Sequence, residues 1–316
     1  MKSRSLQSKL FFAYISLACL ILFSFAVFFY AFVSRQLKQS QISAMNTLNS
    51  SFQTQVDSAI RNLDAVSVNI NYSNQSKTIL DNSFNLNISS NMLSAMSDLF
   101  ISLSGTELKA DQVNLYDFSG YVLEAGISTI VKKTDGSKDE WIEVARELEG
   151  KKVLTPPYCT REYTKTATYD QWFISLYRSF NNQYKRGVGV IETAKQCKSV
   201  FKSIITYKKK NHEDAASIYV FDSNGDLIYP YDISQEYKAA LQPYYELTKG
   251  DDSALTFISP LTGKTEYAAE AVSSYTGYTY LTIQPESVVL APVYNLLRIL
   301  AAIVALFLTI SIFISY

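Results

Sequence analysis

Two long apolar segments bracket this chain, and they constrain its folding more than any other feature. The first covers residues 10–33 and the second covers residues 299–316, and neither contains a charged side chain. A helix needs about 20 apolar residues to cross a hydrocarbon core of roughly 30 Å. We therefore expect two membrane-spanning helices, the second of which lies at the short end of the lengths that span.

The first segment also has the basic front of a secretory signal peptide, in Lys2, Arg4 and Lys9. A signal peptide, however, has an apolar core of only about 7–15 residues that ends at a cleavage site of small residues. This segment is longer, and residues 34–37 offer no such site, so we favour a retained anchor. The basic front predicts a cytoplasmic N-terminus, which places residues from about 34 to 298 outside the cell.

The composition argues against several kinds of partner and chemistry. The formal net charge is zero, so bulk electrostatics do not indicate binding to nucleic acid or to an anionic surface. The only histidine, His212, follows a run of lysines, and we expect it to be a surface residue of a linker. One histidine and dispersed cysteines do not supply a Ser-His-Asp triad or a His/Cys metal site. We therefore predict no catalytic residue, no metal and no cofactor in this chain.

The three cysteines are too few and too scattered for a disulfide-built domain. Cys19 falls inside the first apolar segment, whereas Cys159 and Cys197 are isolated outside it. In an oxidising compartment the latter two can pair with each other. A Cys159–Cys197 disulfide and two free thiols therefore remain the two alternatives.

The first third of the chain is helical in character, because neither glycine nor proline occurs before Gly105. Within residues 42–70, apolar side chains recur at steps of three and four residues, close to a 3.5-residue repeat. They are Ile42, Met45, Phe52, Val56, Ala59, Leu63, Val66 and Ile70, with Asn49 as the one polar member. We predict a stem helix that continues the first span. Packing of its stripe on its own domain and pairing with a second copy are both retained, because a long helix can bury one face in its domain and another in a partner. A second helix is expected at residues 89–103, after an Asn- and Ser-rich break.

Further along, the pattern changes to that of strands, and one motif occurs twice. Residues 115–123 and 220–228 both read apolar, aromatic, Asp, two residues, Gly, one residue and two aliphatic residues. The pattern predicts a hairpin in which the aspartate caps the turn and the glycine takes a positive φ. The turn residues are Asp117 and Gly120 in the first copy and Asp222 and Gly225 in the second. The repetition indicates two copies of one module.

The segments that follow the two hairpins also correspond, since each hairpin is followed by a helical stretch and then by strands. The helices are expected at residues 139–148 and 234–247, and the strands at residues 172–180, 187–192, 254–258, 266–273 and 278–284. A further helix is expected to link the two modules.

These features together resemble a known family. A basic start, a span, a stem helix and two PAS-like modules, each opening with an aromatic-Asp-x-x-Gly hairpin, are similar to a double-Cache sensor. The closing Thr276-Gly277-Tyr278 strand, which leads through Pro285 into a second span, is similar as well. The arrangement is most similar to YesM-type sensor histidine kinases of Gram-positive bacteria. The resemblance implies an α+β fold, in which a long stem helix precedes two antiparallel-sheet modules and two transmembrane helices flank the whole.

The patterns and the resemblance divide the chain into consecutive segments. They are a cytoplasmic N-terminus (1–9), a first transmembrane helix (10–33), the stem and second helices (34–104), a membrane-distal module (105–196), a linker helix (197–213), a membrane-proximal module (214–285), and a juxtamembrane helix with the second transmembrane helix (286–316). A kinase part would follow in the family, and we expect it to be absent from this chain, which looks truncated after the second span.

In double-Cache sensors the ligand pocket usually lies in the distal module, along the central strands and the loop before them. By resemblance that region is residues 153–180 here, and it is dense in aromatic rings and charged groups. Such walls suit a small polar solute of the sugar or amino-acid class. The predicted ligand-binding residues are Tyr158, Arg161, Tyr163, Asp170, Trp172, Tyr177 and Arg178. For Trp172 a place in the core is an equal alternative, since strand side chains alternate between faces. The Tyr-x-x-x-Arg-x-Trp-Tyr arrangement that is typical of amino-acid-binding members is absent, which argues against an amino-acid ligand.

The hypothesis is therefore the extracellular sensing and transmembrane signalling part of a receptor in the bacterial cell membrane. A two-component histidine kinase output is favoured, and a methyl-accepting, cyclase or AraC-type DNA-binding output is the alternative, as is a two-anchor adaptor without a ligand. The chain itself is not predicted to be an enzyme or to bind nucleic acid, and a response regulator would be reached only through the output domain. Homodimerisation through residues 42–70 is a corollary, and ligand binding is expected to shift the second span relative to the stem helix.

Overall fold

The computed structural model describes residues 6–81, 90–105, 108–127, 130–161, 163, 170–181, 187–211, 216–249 and 254–315. The prediction for His212 and part of the predicted break before the second helix lie outside these ranges. The described residues form an α+β structure, with a long N-terminal helix and two antiparallel sheets. The predicted fold class is confirmed at this level, and the assignment to two modules of one family stays a prediction.

A single helix, α1 (Leu6–Tyr72), contains both the first apolar segment and the stem. The described residues of its apolar stripe are turned inward. Met45, Val56 and Leu63 are fully buried, and so is the polar member Asn49. The structure shows the stripe buried within its own chain, and pairing with a second copy stays a prediction. Two further helices follow, α2 (Asn74–Asp81) and α3 (Ser90–Ser104).

The larger sheet has the strand order β3-β2-β1-β7-β6-β4, and β5 pairs with β6. Its strands are β1 (Gln112–Asp117), β2 (Tyr121–Gly126), β3 (Ile130–Lys133), β4 (Val153–Leu154), β5 (Tyr158–Thr160), β6 (Gln171–Asn181) and β7 (Gly187–Gln196). Helix α4 (Asp139–Glu147) covers one face, where Ala145 is buried among Tyr116, Tyr177 and Val190. Tyr177 is opposite Glu192 in the β6–β7 register, so these two side chains share that face.

The smaller sheet has the order β10-β11-β12-β8-β9. Its strands are β8 (Ser217–Phe221), β9 (Leu227–Tyr229), β10 (Ala254–Ile258), β11 (Thr265–Val272) and β12 (Thr279–Pro285). Two short helices connect β7 to β8, α5 (Cys197–Val200) and α6 (Lys202–Asn211). Helix α7 (Gln235–Leu247) begins after Ser234, whose hydroxyl accepts a hydrogen bond from the Tyr237 amide at 3.2 Å, the usual N-cap arrangement.

The two repeated turns have the same construction. In the first, Asp117 Oδ1 accepts hydrogen bonds from the amides of Ser119 and Tyr121, at 3.0 and 2.8 Å. In the second, Asp222 Oδ1 accepts from the amides of residues 224 and 226, at 2.9 and 2.8 Å. Gly120 and Gly225 have φ of +88° and +91°, a conformation that a side chain disfavours. Each turn thus joins two neighbouring antiparallel strands, β1 to β2 and β8 to β9.

The chain divides into two compact units, one of residues 1–48, 251–269 and 282–316, and the other of residues 49–250 and 270–281. In the first unit, Met45 packs with Tyr267, Val289 and Val293. The Tyr267 hydroxyl donates to Glu286 Oε1 at 2.6 Å. These contacts are made where α8 (Glu286–Val289) leads into α9 (Ala291–Ser315).

Within the described residues, two helices are long and apolar enough to cross a membrane, α1 from Ala13 onward and α9. Their apolar side chains are largely exposed, as at Phe23 (72%) and Phe28 (69%), which suits a lipid environment. The two helices flank the sheets in sequence. This supports a membrane protein with two spans, and the direction in which the spans cross stays a prediction.

Candidate functional site

A cavity of about 400 Å³ opens between the larger sheet and the segment that leads into α4. It lies on the face of the sheet that carries Tyr177. Its lining consists of Asp135, Ser137, Lys138, Trp141, Thr155, Tyr158, Cys159, Thr160 and Tyr177. The volume is within the range of small-molecule sites in proteins, roughly 300–1,000 Å³. Aromatic rings, hydroxyl groups and charged groups therefore meet in one concave surface.

Regular structure fixes most of this lining. Tyr158 belongs to β5, where it pairs with Phe173 of β6, and Tyr177 pairs with Val153 of β4. Lys138 is the residue immediately before α4, and Trp141 lies in the first turn of that helix. The cavity is therefore held by strands on one side and by a helix start on the other.

A fully buried carboxylate, that of Glu192 on β7, lies behind the cavity wall. The groups that donate hydrogen bonds to it come from three other strands, from the start of α4 and from Tyr163. They are Ser175 Oγ (2.6 Å), Asn114 Nδ2 (2.7 Å), Tyr116 OH (2.7 Å), Tyr158 OH (3.1 Å), Lys138 Nζ (3.2 Å) and Tyr163 OH (3.2 Å). A buried charge is tolerated only when it is paired and hydrogen-bonded in this way.

The environment decides the protonation state of this cluster. Burial by itself raises the pKa of Glu192, but the charge of Lys138 and the donated hydrogen bonds outweigh it and lower the pKa from 4.5 to about 2. Burial, followed by the charge of Glu192, raises the pKa of Tyr116, Tyr158 and Tyr163 well above their usual value. The carboxylate is therefore ionised at neutral pH, and the three phenols keep their protons as donors.

Lys138 connects this cluster to the cavity. Its Nζ donates to the hydroxyl of Tyr163 as well as to Glu192, and it lies over the Tyr163 and Tyr158 rings, 4.6 and 5.8 Å from their centroids. Only 14% of the side chain is exposed. Since the ion pair neutralises both charges, Lys138 and Glu192 together present a polar but uncharged wall.

Asp135 supplies the remaining charge of the lining. Its Oδ1 accepts hydrogen bonds from the amide and the hydroxyl of Ser137, at 2.9 and 2.6 Å, and these bonds lower the pKa of the carboxyl. The half-buried Trp141 ring also lines the cavity. The arrangement can hold a small solute by hydrogen bonds and by ring contact, and its one surplus negative charge favours a cationic group over an anionic one.

The seven residues predicted from sequence are dispersed by the fold. Tyr158 and Tyr177 line the cavity, and Tyr163 is buried behind it in the Glu192 cluster. Arg161 and Asp170 form an ion pair on the surface, with side chains 71% and 53% exposed. Their assignment as ligand-binding residues stays a prediction, and the geometry brings only the three tyrosines to this cavity.

The other two predicted residues are on β6, with side chains away from the cavity. Trp172 lines a different, smaller cavity. Arg178 Nε donates to the hydroxyl of Ser67 on α1 at 3.1 Å, and its other nitrogens bind Asp64 and the carbonyl of Gly150. Tyr177 and Arg178 are neighbours in sequence, and the alternation of a strand directs them to opposite faces of the sheet.

Among the residues of the site that were not predicted from the sequence, three carry a charge: Asp135, Lys138 and Glu192. For Glu192 a signal was present, because the carboxylate interrupts the otherwise uncharged segment 187–194, and a charge in a buried strand requires compensation. Asp135 and Lys138 lie in a polar segment that carries no comparable signal.

The remaining sequence expectations concern cysteines and metals. Cys159 is exposed at the cavity and Cys197 is buried, and both are free thiols, as is Cys19. Of the two alternatives, the structure shows free thiols. No group of three or more His, Cys, Asp or Glu side chains that could hold a metal ion occurs within the described ranges.

No family model matches this chain, and no curated protein matches it by sequence. Solved structures do match it. It is similar to the periplasmic sensory domain of the Campylobacter jejuni chemoreceptor Tlp1, with 14% identity and a TM-score of 0.57, over 81% of this chain and 99% of that one. It is similar to the sensory domain of Tlp3 from the same organism with isoleucine bound, with 14% identity and a TM-score of 0.54, over 82% and 98%.

A third similar structure is the ligand-binding domain of the Pseudomonas aeruginosa PAO1 amino acid chemoreceptor PctC in complex with GABA. It has 8% identity and a TM-score of 0.52, over 78% of this chain and 98% of that one. At these identities the likeness shows the fold alone. That fold is the one used by the sensory and ligand-binding domains of these bacterial chemoreceptors.

Proposed function

We propose that this chain is the ligand-sensing and membrane-spanning part of a bacterial receptor, and that the ligand binds in the cavity between Tyr158 and Lys138. The observation that carries the proposal is the position of the Lys138–Glu192 pair, which forms a polar wall directly behind an open cavity. A buried charge cluster beside a concave site is typical of a functional site. The fold shared with chemoreceptor sensory domains supports this proposal.

The ligand is a small polar solute of the amino-acid or sugar class. Sugar hydroxyl groups can hydrogen-bond to Asp135 and to the hydroxyl of Tyr158, and the ammonium group of an amino acid is attracted by Asp135 and the Trp141 ring. The lining offers no unpaired cation for an anion, since Lys138 is paired with Glu192. Two of the similar structures hold isoleucine and GABA, which favours the amino-acid class.

Strand β6 provides a route by which occupancy can reach the stem. On one face Tyr177 lines the cavity, and on the other face Arg178 binds Asp64 of α1. Asp64 Oδ2 also accepts a hydrogen bond of 2.6 Å from the hydroxyl of Tyr275, in the turn before β12. β12 continues through α8 into the second span. A ligand that favours one position of β6 would therefore bias the turn that precedes that span.

The proposed orientation places the N-terminus in the cytoplasm and residues from about 34 to 298 outside the cell. A histidine kinase that acts on a response regulator is the output that we favour, and a methyl-accepting, cyclase or AraC-type output is the alternative.

The receptor is proposed to act as a homodimer through α1. Because the apolar stripe is buried in its own chain, a dimer through this helix would use the opposite, exposed face. Residues on that face recur at steps of three and four, as a helix pair requires. They are Ala44, Thr47, Ser51, Thr54, Ser58, Arg61 and Ala65.

A thermal-shift screen of the intact chain in detergent, against amino acids, amines and sugars, tests the proposal. We expect a class of solutes that raises the unfolding temperature, because binding to the native state stabilises it. The shift should be reduced in Asp135→Asn and Tyr158→Phe. The matched control is Glu147→Gln, on an exposed position of α4, which should keep it. A shift that survives both cavity variants would place the ligand elsewhere, and no shift with any solute would favour an adaptor without a ligand.

A further inference from the structure

A second cavity, of about 290 Å³, lies beside the first residues of β6. It is formed where the first residues of β6 and the last residue of β7 meet the segment that follows β9. The lining comes from Trp172 and Gln196 of the larger sheet, Lys198 of α5, and Tyr231 and Asp232. None of these residues belongs to the first cavity, so the proposal below does not rest on the proposed function.

The walls of this cavity are aromatic and well supported. The Trp172 and Tyr231 rings are 5.7 Å apart at an angle of 47°, and Phe201 packs against Tyr231 at 6.0 Å. Beside them, Gln196 Nε2 donates to Gln171 Oε1 at 2.7 Å. Rings and amides thus form a surface that can receive an apolar group and hydrogen-bond a polar one.

Two opposite charges stand at the rim of the same cavity. Lys198 and Asp232 are both exposed, and among the residues that the structure describes they form no ion pair with each other or with a third group. Asp170, the other carboxylate at the rim, is already paired with Arg161. One ammonium and one carboxylate therefore remain available around an aromatic surface.

We propose that this second cavity binds a zwitterionic amino acid. The ligand carboxylate would bind Lys198, its ammonium group would bind Asp232, and its side chain would contact Trp172. A zwitterion satisfies both rim charges at once, whereas a simple amine or a simple carboxylate satisfies one and leaves the other without a partner. The bound amino acid would contact both α5 and the segment that follows β9, and would thus bridge these two segments.

The two tryptophans of the chain allow each cavity to be observed separately, because Trp141 lines the first and Trp172 lines the second. In the intact chain carrying Trp141→Phe, the fluorescence of Trp172 is titrated with each proteinogenic L-amino acid except tryptophan and tyrosine. The amine and carboxylic acid analogues of every amino acid that gives a response are then titrated in the same way. We expect a saturable change with at least one amino acid, and weaker binding of both of its analogues.

Variants at the rim give the decisive comparison. Asp232→Asn and Lys198→Gln should each raise the half-saturating concentration by roughly tenfold, since each removes one charge-assisted contact. Both residues are exposed, so neither change threatens folding. The matched controls are Glu236→Gln and Lys202→Gln, also exposed, which should leave the titration unchanged.

Two results would overturn the proposal: no saturable change at Trp172 with any of these amino acids, or a change that both rim variants leave intact. The same titrations with Trp172→Phe report on Trp141 and the first cavity. A response at Trp141 without one at Trp172 would remove the second site and keep the proposed function. A response at Trp172 without one at Trp141 would support the second site and exclude these amino acids as ligands of the first cavity.

Discussion

Lys138 Nζ lies 3.2 Å from Glu192 Oε2, and in this ion pair Lys138 lines the cavity while Glu192 is buried behind it on the larger sheet. Glu192 is completely buried, and its charge is tolerated because six donors, Lys138 among them, converge on the one carboxylate. A site of this kind is preorganised, since its hydroxyl groups are held in place before any ligand arrives. It also makes the stability of the module depend on the same residues that wall the cavity.

The first prediction concerns the carboxylate. Glu192→Gln leaves Lys138 without its countercharge in a largely buried position, so it should lower the free energy of unfolding by about 3 kcal/mol. Urea unfolding in detergent measures the change. The double variant with Lys138→Met should recover part of the loss, because it removes the unpaired charge as well. An equal loss in the single and double variants would show that the pair is not the cause.

The second prediction is a pH dependence. The pKa of Glu192 is about 2 in the folded protein and lies below its usual 4.5. The stabilisation from its ionised form is therefore complete above about pH 4.5 and is lost as the pH falls towards 2. The free energy of unfolding should decrease over this window more steeply in the parent protein than in Glu192→Gln. Parallel pH profiles for the two proteins would contradict the depressed pKa.

The third prediction concerns Tyr275. Its hydroxyl donates to Asp64, while its ring lies 3.7 Å from the Arg61 guanidinium and 3.3 Å from Lys152 Nζ. Tyr275→Phe keeps the ring and removes the hydrogen bond, which should cost about 1–2 kcal/mol of stability because the acceptor is charged. It should also weaken the response of the second span to a ligand without changing the affinity of the cavity.

The response of the second span to a ligand can be measured as cross-linking between the two spans. The rings of Tyr30 and Tyr294 are 6.4 Å apart, so cysteines at these positions, in a chain whose three native cysteines are replaced by serine, should cross-link. A ligand found by the thermal-shift screen should change the rate of cross-linking, and Tyr275→Phe should reduce that change. The control is Tyr72→Phe, at a tyrosine that is 76% exposed. An undiminished change in Tyr275→Phe would exclude this route.

The fourth prediction distinguishes the two faces of α1. Single cysteines at Thr47, Thr54 and Arg61, which are exposed, should cross-link two copies in membranes, whereas cysteines at the buried Val56 and Leu63 should not. The reason is that the buried positions are covered by their own chain. Equal cross-linking at all five positions, or none at the exposed ones, would remove the proposed dimer.

The sequence predicted the long helix and the strand-rich segments because their periodicity reflects which side chains are buried. The same periodicity could not decide whether the stripe on α1 meets its own chain or a partner, because both would bury the same residues. The structure places Val56 and Leu63 inside their own chain. What covers an apolar face depends on distant parts of the sequence, and no local pattern records it.

A local sequence pattern also could not show which face of the larger sheet holds the candidate site. The family resemblance pointed to the region that contains Tyr158, Tyr163 and Tyr177, and the aromatic and charged residues of that region grouped them with Trp172 and Arg178. On β6 the odd-numbered Phe173, Ser175 and Tyr177 lie on the cavity side, and Arg178 lies on the stem side. Which of the two faces holds the cavity is decided by the packing of α4 and α1 against the sheet, and this information is not contained in the strand.

The most direct test of the central claim is the fluorescence of Trp141 in the intact chain carrying Trp172→Phe, titrated with each solute that stabilises the protein. Ligand binding in the cavity beside Lys138 predicts a saturable change, and Asp135→Asn or Tyr158→Phe should weaken the apparent affinity by roughly tenfold. If every stabilising solute leaves the Trp141 emission unchanged at saturation, or if the solutes that change it bind both variants as tightly as the parent protein, the proposal that this cavity is the sensing site is contradicted.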